Sequence, residues 1–183
     1  MKKQLVAGAL LCLALLAGRS AVAADDNERI NPDYICAQYL ALASTSPSGP
    51  LFQALQIDGF VSAEQGTTWA DPDTIKGLMP AVYAMCEKHP TDPVAVQWEQ
   101  VKRLIEDPVE KPWDADTTLC RRLNENPDDA SGFVVWLDGY NRQYSVTKKS
   151  ILDSDRDIQR FIEACKGRPD DRMLDVLRDS LQK

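Results

Sequence analysis

Four cysteines, Cys36, Cys86, Cys120 and Cys165, stand behind an N-terminal stretch that reads as a secretory signal, and together they constrain this chain more than any other feature. The signal reading rests on Lys2 and Lys3, an unbroken apolar run from Leu5 to Ala17, and small residues ending at Ala23-Ala24. The run is too short for a membrane span, and no second hydrophobic stretch follows, so no stable membrane insertion is expected. A fifth cysteine, Cys12, lies inside the signal, where Leu11 occupies the position at which lipidation wants a small residue. Cleavage after Ala23 or Ala24 leaves an even set of cysteines in a compartment where thiols oxidise, the periplasm, and two disulfides are expected.

Four cysteines allow three pairings, and an internal repeat selects among them. Cys86 is followed by Glu87-Lys88-His89-Pro90-Thr91-Asp92, and Cys165 by Lys166-Gly167-Arg168-Pro169-Asp170-Asp171. Upstream, Ile57-Asp58-Gly59-Phe60 matches Leu137-Asp138-Gly139-Tyr140, each about twenty residues beyond its half's first cysteine. The same landmarks in the same order imply a duplicated unit bridged Cys36 to Cys86 and Cys120 to Cys165. Each bridge closes a loop of about 50 residues, for which chain entropy predicts roughly 4 kcal/mol of stabilisation. Burial alone seldom supplies more than ~3–5 kcal/mol to units this small.

Helix starts are written into the chain as capping residues before prolines: Asn31-Pro32, Asp71-Pro72, Asp92-Pro93 and Asn126-Pro127. They predict helices near 32–43, 50–65, 80–89 and 93–106, with a short helical turn at 72–79 and Pro80 opening the helix that follows. The second half predicts helices near 115–124, 127–144, 154–166 and 170–182, the third started by Ser154 with Asp157 in a capping-box-like arrangement. Sustained strand alternation is absent. The expected fold is all-α: two small disulfide-stapled helical units of about four helices each, related by internal duplication. Residues 1–24 form the signal peptide, 25–109 the first unit and 110–183 the second, with the proline-spaced, charged segment 106–112 as a stiff linker.

Removing Lys2, Lys3 and Arg19 leaves 18 Lys and Arg against 28 Asp and Glu, a net charge of −10. Such a chain repels nucleic acid and anionic membrane at neutral pH. Its one histidine, His89, stands at a helix end, where a cation is favoured by the helix dipole, and Arg168 holds the matching position. No nucleophile elbow accompanies it, and CxxC, HExxH and EF-hand patterns are absent, so no catalytic residue, metal or cofactor is expected. A hydrolase using His89 or a carboxylate pair is the least favoured reading. The acidic clusters Asp25-Asp26, 153–157 and Asp170-Asp171 read as helix starts and solvated faces.

Phe133-Val134-Val135-Trp136-Leu137 is apolar around most of a helical circumference, so it is either the centre of a bundle or shared with a partner. Phe133, Val134, Val135, Trp136, Leu137 and Tyr140, with Phe52, Leu55 and Phe60 of the first half, are the candidate client-binding or partner-binding residues.

Three segments resemble the periplasmic acid-stress chaperones of the HdeA/HdeB type: Cys36-Ala37-Gln38-Tyr39-Leu40, Trp136-Leu137-Asp138-Gly139-Tyr140, and Met79-Pro80-Ala81-Val82-Tyr83-Ala84-Met85-Cys86. The resemblance implies a non-enzymatic holdase, folded and dimeric at neutral pH, that loosens in strong acid and binds unfolding periplasmic proteins through exposed apolar surface. Protonating its 28 carboxylates would carry this chain from −10 to about +18, or +19 with His89. It departs from that family in being a tandem of two units. Either a homodimer or an internal pseudo-dimer is then expected, the latter favoured by an effective concentration on the order of millimolar. The alternative is a constitutive periplasmic binding module, such as a toxin-immunity or envelope assembly protein, with one rigid surface for one protein partner.

Overall fold

The computed structural model describes residues 34–43, 50–106, 111, 113–145, 149–152 and 154–179. Its elements run α1 (Cys36–Ala43), α2 (Leu51–Gln65), β1 (Trp69–Ala70), α3 (Pro72–Lys88), α4 (Val94–Lys102), β2 (Trp113–Asp114), α5 (Cys120–Glu125), α6 (Pro127–Tyr144), α7 (Asp155–Gly167) and α8 (Met173–Asp179). The chain is mostly helical, and no helix among the described residues is long and apolar enough to cross a membrane. The signal segment, Asn31-Pro32, Asp25-Asp26 and Asp153 lie outside the described residues.

Where the helix starts were legible, the chemistry is local. Asp71 accepts hydrogen bonds from the backbone N–H groups of Asp73 and Thr74, with Pro72 at the first position of α3. Ser154 accepts from the N–H of Asp157 and opens α7. Pro127 opens α6 behind Asn126, but the Asn126 side chain makes no capping hydrogen bond, so the expected cap is absent there. At Asp92-Pro93 the aspartate instead accepts from the Gln97 side chain, and α4 begins at Val94.

Three expectations are corrected. Pro80 does not open a helix: α3 runs through it without a break, Pro80 facing solvent while Ile75, Leu78, Met79, Val82 and Cys86 bury the opposite side. The carbonyl its missing N–H leaves free belongs to exposed Lys76, within reach of water. The helix expected at 115–124 begins only at Cys120, because Asp114 Oδ1 accepts from the N–H groups of Asp116 and Thr117 and holds a turn there. Strand pairing, not expected at all, joins β1 to β2 antiparallel, with Trp69 opposite Asp114 and Ala70 opposite Trp113. Thr68 Oγ1 reinforces this ladder by donating to Asp114 Oδ2 at 2.7 Å.

Disulfides join Cys36 to Cys86 and Cys120 to Cys165, α1 to α3 and α5 to α7. Around each, the same three backbone bonds recur. Cys36 N–H donates to Asp92 O, Ala37 N–H to Pro90 O and Val94 N–H to Tyr34 O; Cys120 donates to Asp171, Arg121 to Pro169 and Met173 to Thr118, all at 2.8 or 2.9 Å. Isolated bridges Ile35 with Pro93 and Leu119 with Arg172 mark the same places.

The core is one continuous cluster drawn from both sides of residue 110, with Tyr39, Trp98, Phe133, Trp136 and Phe161 among its largest fully buried side chains. Its axis is α6, which meets α2 in the most extensive contact between elements. Along α6 the rings of Trp113, Phe133, Trp136 and Tyr140 stack in series at centroid separations of 5.2, 5.7 and 5.1 Å.

Candidate functional site

The α2–α6 contact is built on two glycines. A Cβ added to Gly59 would lie 2.1 Å from the Trp136 carbonyl oxygen, and one added to Gly139 would lie 2.0 Å from that of Gln56, so the two helix backbones touch directly. Immediately before each glycine stands a carboxylate carried into the core by the same turn of helix.

Asp58 is 1% exposed. Its Oδ1 accepts from Trp98 Nε1–H at 2.8 Å and its Oδ2 from Trp136 Nε1–H at 2.8 Å, while Lys102 Nζ donates to both oxygens at 2.7 Å. Lys102, itself buried, also donates to Ser62 Oγ at 2.6 Å and sits 5.3 Å above the Trp69 ring. Asp138 has no exposed surface. Its Oδ2 accepts from Gln56 Nε2–H at 2.9 Å and Ser150 Oγ–H at 2.7 Å, its Oδ1 accepts from the N–H groups of Ile151 and Leu152, and Arg142 Nε lies 3.6 Å from Oδ2. The arrangement is reciprocal. Gln56, two residues before Asp58, serves Asp138, and Trp136, two residues before Asp138, serves Asp58. A buried carboxylate held by charged partners contributes only while its geometry and charge balance last; removing one partner of such a pair costs about 3–5 kcal/mol.

Of the candidate binding residues, Leu55, Phe133, Val134, Trp136, Leu137 and Tyr140 are buried, Val135 and Phe60 are half-buried, and Phe52 is 41% exposed. In this fold the six buried residues are therefore core rather than a free surface: α6 is central, covered by α2 on one side and its own half on the others. Phe52, Val134 and Val135 line an apolar cavity of about 320 Å³ enclosed by α2, α5, α6 and α7.

His89 closes α3, its N–H donating to the carbonyls of Met85 and Cys86 and its half-exposed ring 3.6 Å from Asp92. Arg168 closes α7 and donates to Asp171 and Asp179, which hold its guanidinium above its ordinary range. Asp170 pairs with Arg121 across the disulfide at 2.6 Å. No three His, Cys, Asp or Glu side chains among the described residues converge as metal ligands.

In the sequence Asp58-Gly59 and Asp138-Gly139 stand out only as landmarks of the repeat, with no role of their own. The available signal was a carboxylate on an apolar helical stretch beside a helix-interior glycine, which needs both a partner and a close neighbour. Comparison with family models, curated proteins and solved structures returns no match.

Proposed function

We propose that this chain is a non-catalytic, exported acid-stress chaperone of the periplasm: a holdase whose client surface is its own α2–α6 crossing, opened by acid. The observation that carries this reading is the pair of buried carboxylates at that crossing. Acid that protonates Asp58 leaves the buried ammonium of Lys102 without its counter-charge, and protonating Asp138 removes a negative charge 3.6 Å from Arg142 Nε. Every other carboxylate adds to the imbalance, since full protonation brings the mature chain to about +18. Separation of α2 from α6 would uncover Leu55, Phe133, Trp136, Leu137 and Tyr140, the residues that make up most of the candidate client surface. Unfolding exported proteins are the partners this surface fits.

Duplication belongs to the same proposal. The paired disulfides, the recurring backbone bonds around them and the reciprocal service of Asp58 and Asp138 support two related units, 25–109 and 110–183, docked as an internal pseudo-dimer. With both bridges intact, each unit would stay compact after the crossing opens. A constitutive binding module is the second reading, favoured by the cavity beside exposed Phe52 in the closed fold.

The test is aggregation of an acid-labile enzyme, malate dehydrogenase, on a shift to about pH 2, where carboxylates are largely protonated. Suppression by this chain, with uptake of an apolar dye over the same pH range, is the expected result. The double variant Asp58→Asn with Asp138→Asn, which removes both charges, should take up dye at a higher pH than the parent. Absence of suppression at any pH overturns the proposal, as does suppression that is equal at neutral pH and in acid.

A further inference from the structure

The cavity between α2, α5, α6 and α7 has a cause in the sequence. Counted from the cysteines, Leu123 occupies the position that Tyr39 holds in the first half, three residues beyond Cys36, and Ile162 the position of Tyr83, three residues before Cys86. Counted from the core aspartates, Ser131 stands where Leu51 does and Val135 where Leu55 does. At all four places the second half carries the smaller side chain. In the first half the two tyrosine rings stack at 5.3 Å between centroids, with Tyr39 fully buried. In the second half about 320 Å³ stays open, walled by Leu123, Val134, Val135, Leu152, Ile158 and Ile162.

That volume is about twice that of an engineered apolar cavity of ~150 Å³ that stays dry and binds benzene. Its walls offer water few hydrogen-bond partners, so water entering through the mouth is readily displaced by an apolar body. The polar groups at its edge are few. Gln56 Nε2–H donates to Asp138 while Gln56 Oε1 is buried without a hydrogen-bond partner, Asn124 and Ser131 donate to the carbonyls of Cys165 and Asp128, and exposed Lys166 at the rim is paired with Glu163 at 2.7 Å. An anionic ligand would meet a mainly apolar wall whose one nearby cation, Lys166, stays solvent-exposed at the rim, so its charge would be poorly compensated inside. Phe52, exposed at the mouth, extends the apolar surface outward.

We propose that this cavity binds a neutral, mainly apolar small molecule of about a dozen non-hydrogen atoms, with an aromatic or branched alkyl body, in the closed fold at neutral pH. This goes beyond the chaperone reading: the site needs the crossing shut, whereas the holdase needs it open.

The probe is 1-naphthol, titrated into the full oxidised chain at neutral pH and followed by methyl NMR. Saturable shifts at the methyl groups of Val134, Val135, Ile158 and Ile162, with a rise in Tm, are expected. The anionic analogue 1-naphthalenesulfonate should bind at least about tenfold more weakly. Ser131→Leu, which installs the first half's residue, and Ile162→Phe should each weaken 1-naphthol binding by about tenfold or more. Two filling variants guard against one that fails to fold, and each is checked by its unperturbed spectrum at α1 and α4. No saturable shift at those methyls, equal binding by both folded variants, or equal binding of the sulfonate overturns the proposal.

Discussion

At Gly59 and Gly139 a hydrogen stands where any other residue would place a carbon inside a neighbouring backbone. Gly77, by contrast, has open space where its Cβ would be. Gly59→Ala and Gly139→Ala should each cost about 3 kcal/mol or more, since α2 and α6 must part to admit the methyl. Gly77→Ala on exposed α3 should instead gain up to about 1 kcal/mol from helix propensity. Urea unfolding of the three variants measures both directions, and equal effects would mean that the crossing yields more easily than its backbone contact implies. By helix propensity all three glycines carry the same cost. What separates them is a carbonyl from a helix some eighty positions away.

Among the elements, α3 carries the clearest conflict between local and tertiary preference. Pro80 removes an N–H in mid-helix and would ordinarily end it, yet five buried side chains and the Cys36–Cys86 bridge hold seventeen residues in one helix. Pro80→Ala should therefore stabilise the protein, by up to about 3 kcal/mol, because it restores the bond to the Lys76 carbonyl without touching the core. A higher urea midpoint is the expected result; a lower one would mean that the proline shapes the helix for its contacts with α1 and α4. Other starts were legible because they are local: Asp71 and Ser154 each satisfy an N–H two or three residues away. The β1–β2 pairing was not, since two-residue strands carry no periodicity to read, and their partners lie on either side of the intervening α3 and α4.

For the molecule as a whole, the pH dependence at the alkaline end follows from its tyrosines. Burial pushes the Tyr39 phenol far above its ordinary range, with neighbouring Tyr83 adding to the effect, and burial raises Tyr83 as well. Tyr140 is raised by burial and then by Tyr144 beside it. The folded state thus keeps protons that the unfolded chain releases near pH ~10, the ordinary tyrosine value. Stability from this source is fully present below that pH and falls as pH rises through the window above it. Denaturant midpoints from neutral pH to about pH 11 should hold and then drop, and Tyr39→Phe should make the drop shallower. An unchanged alkaline limb in that variant would assign the loss to other groups.

Residues close together in the chain determined the helical class, the start of α3 at Asp71-Pro72 and of α7 at Ser154, and the repeated cysteine spacing, because caps, periodicity and loop length are properties of neighbouring positions. The sequence also carried the apolar girth of α6, but left open whether it met a partner or its own core. Only the tertiary structure decided that α2 covers it, that Asp58 and Asp138 trade donors across the crossing, and that a cavity opens beside α7. Each of these depends on side chains brought together from distant parts of the chain, where the fit of shapes and the balance of buried charge are settled by packing.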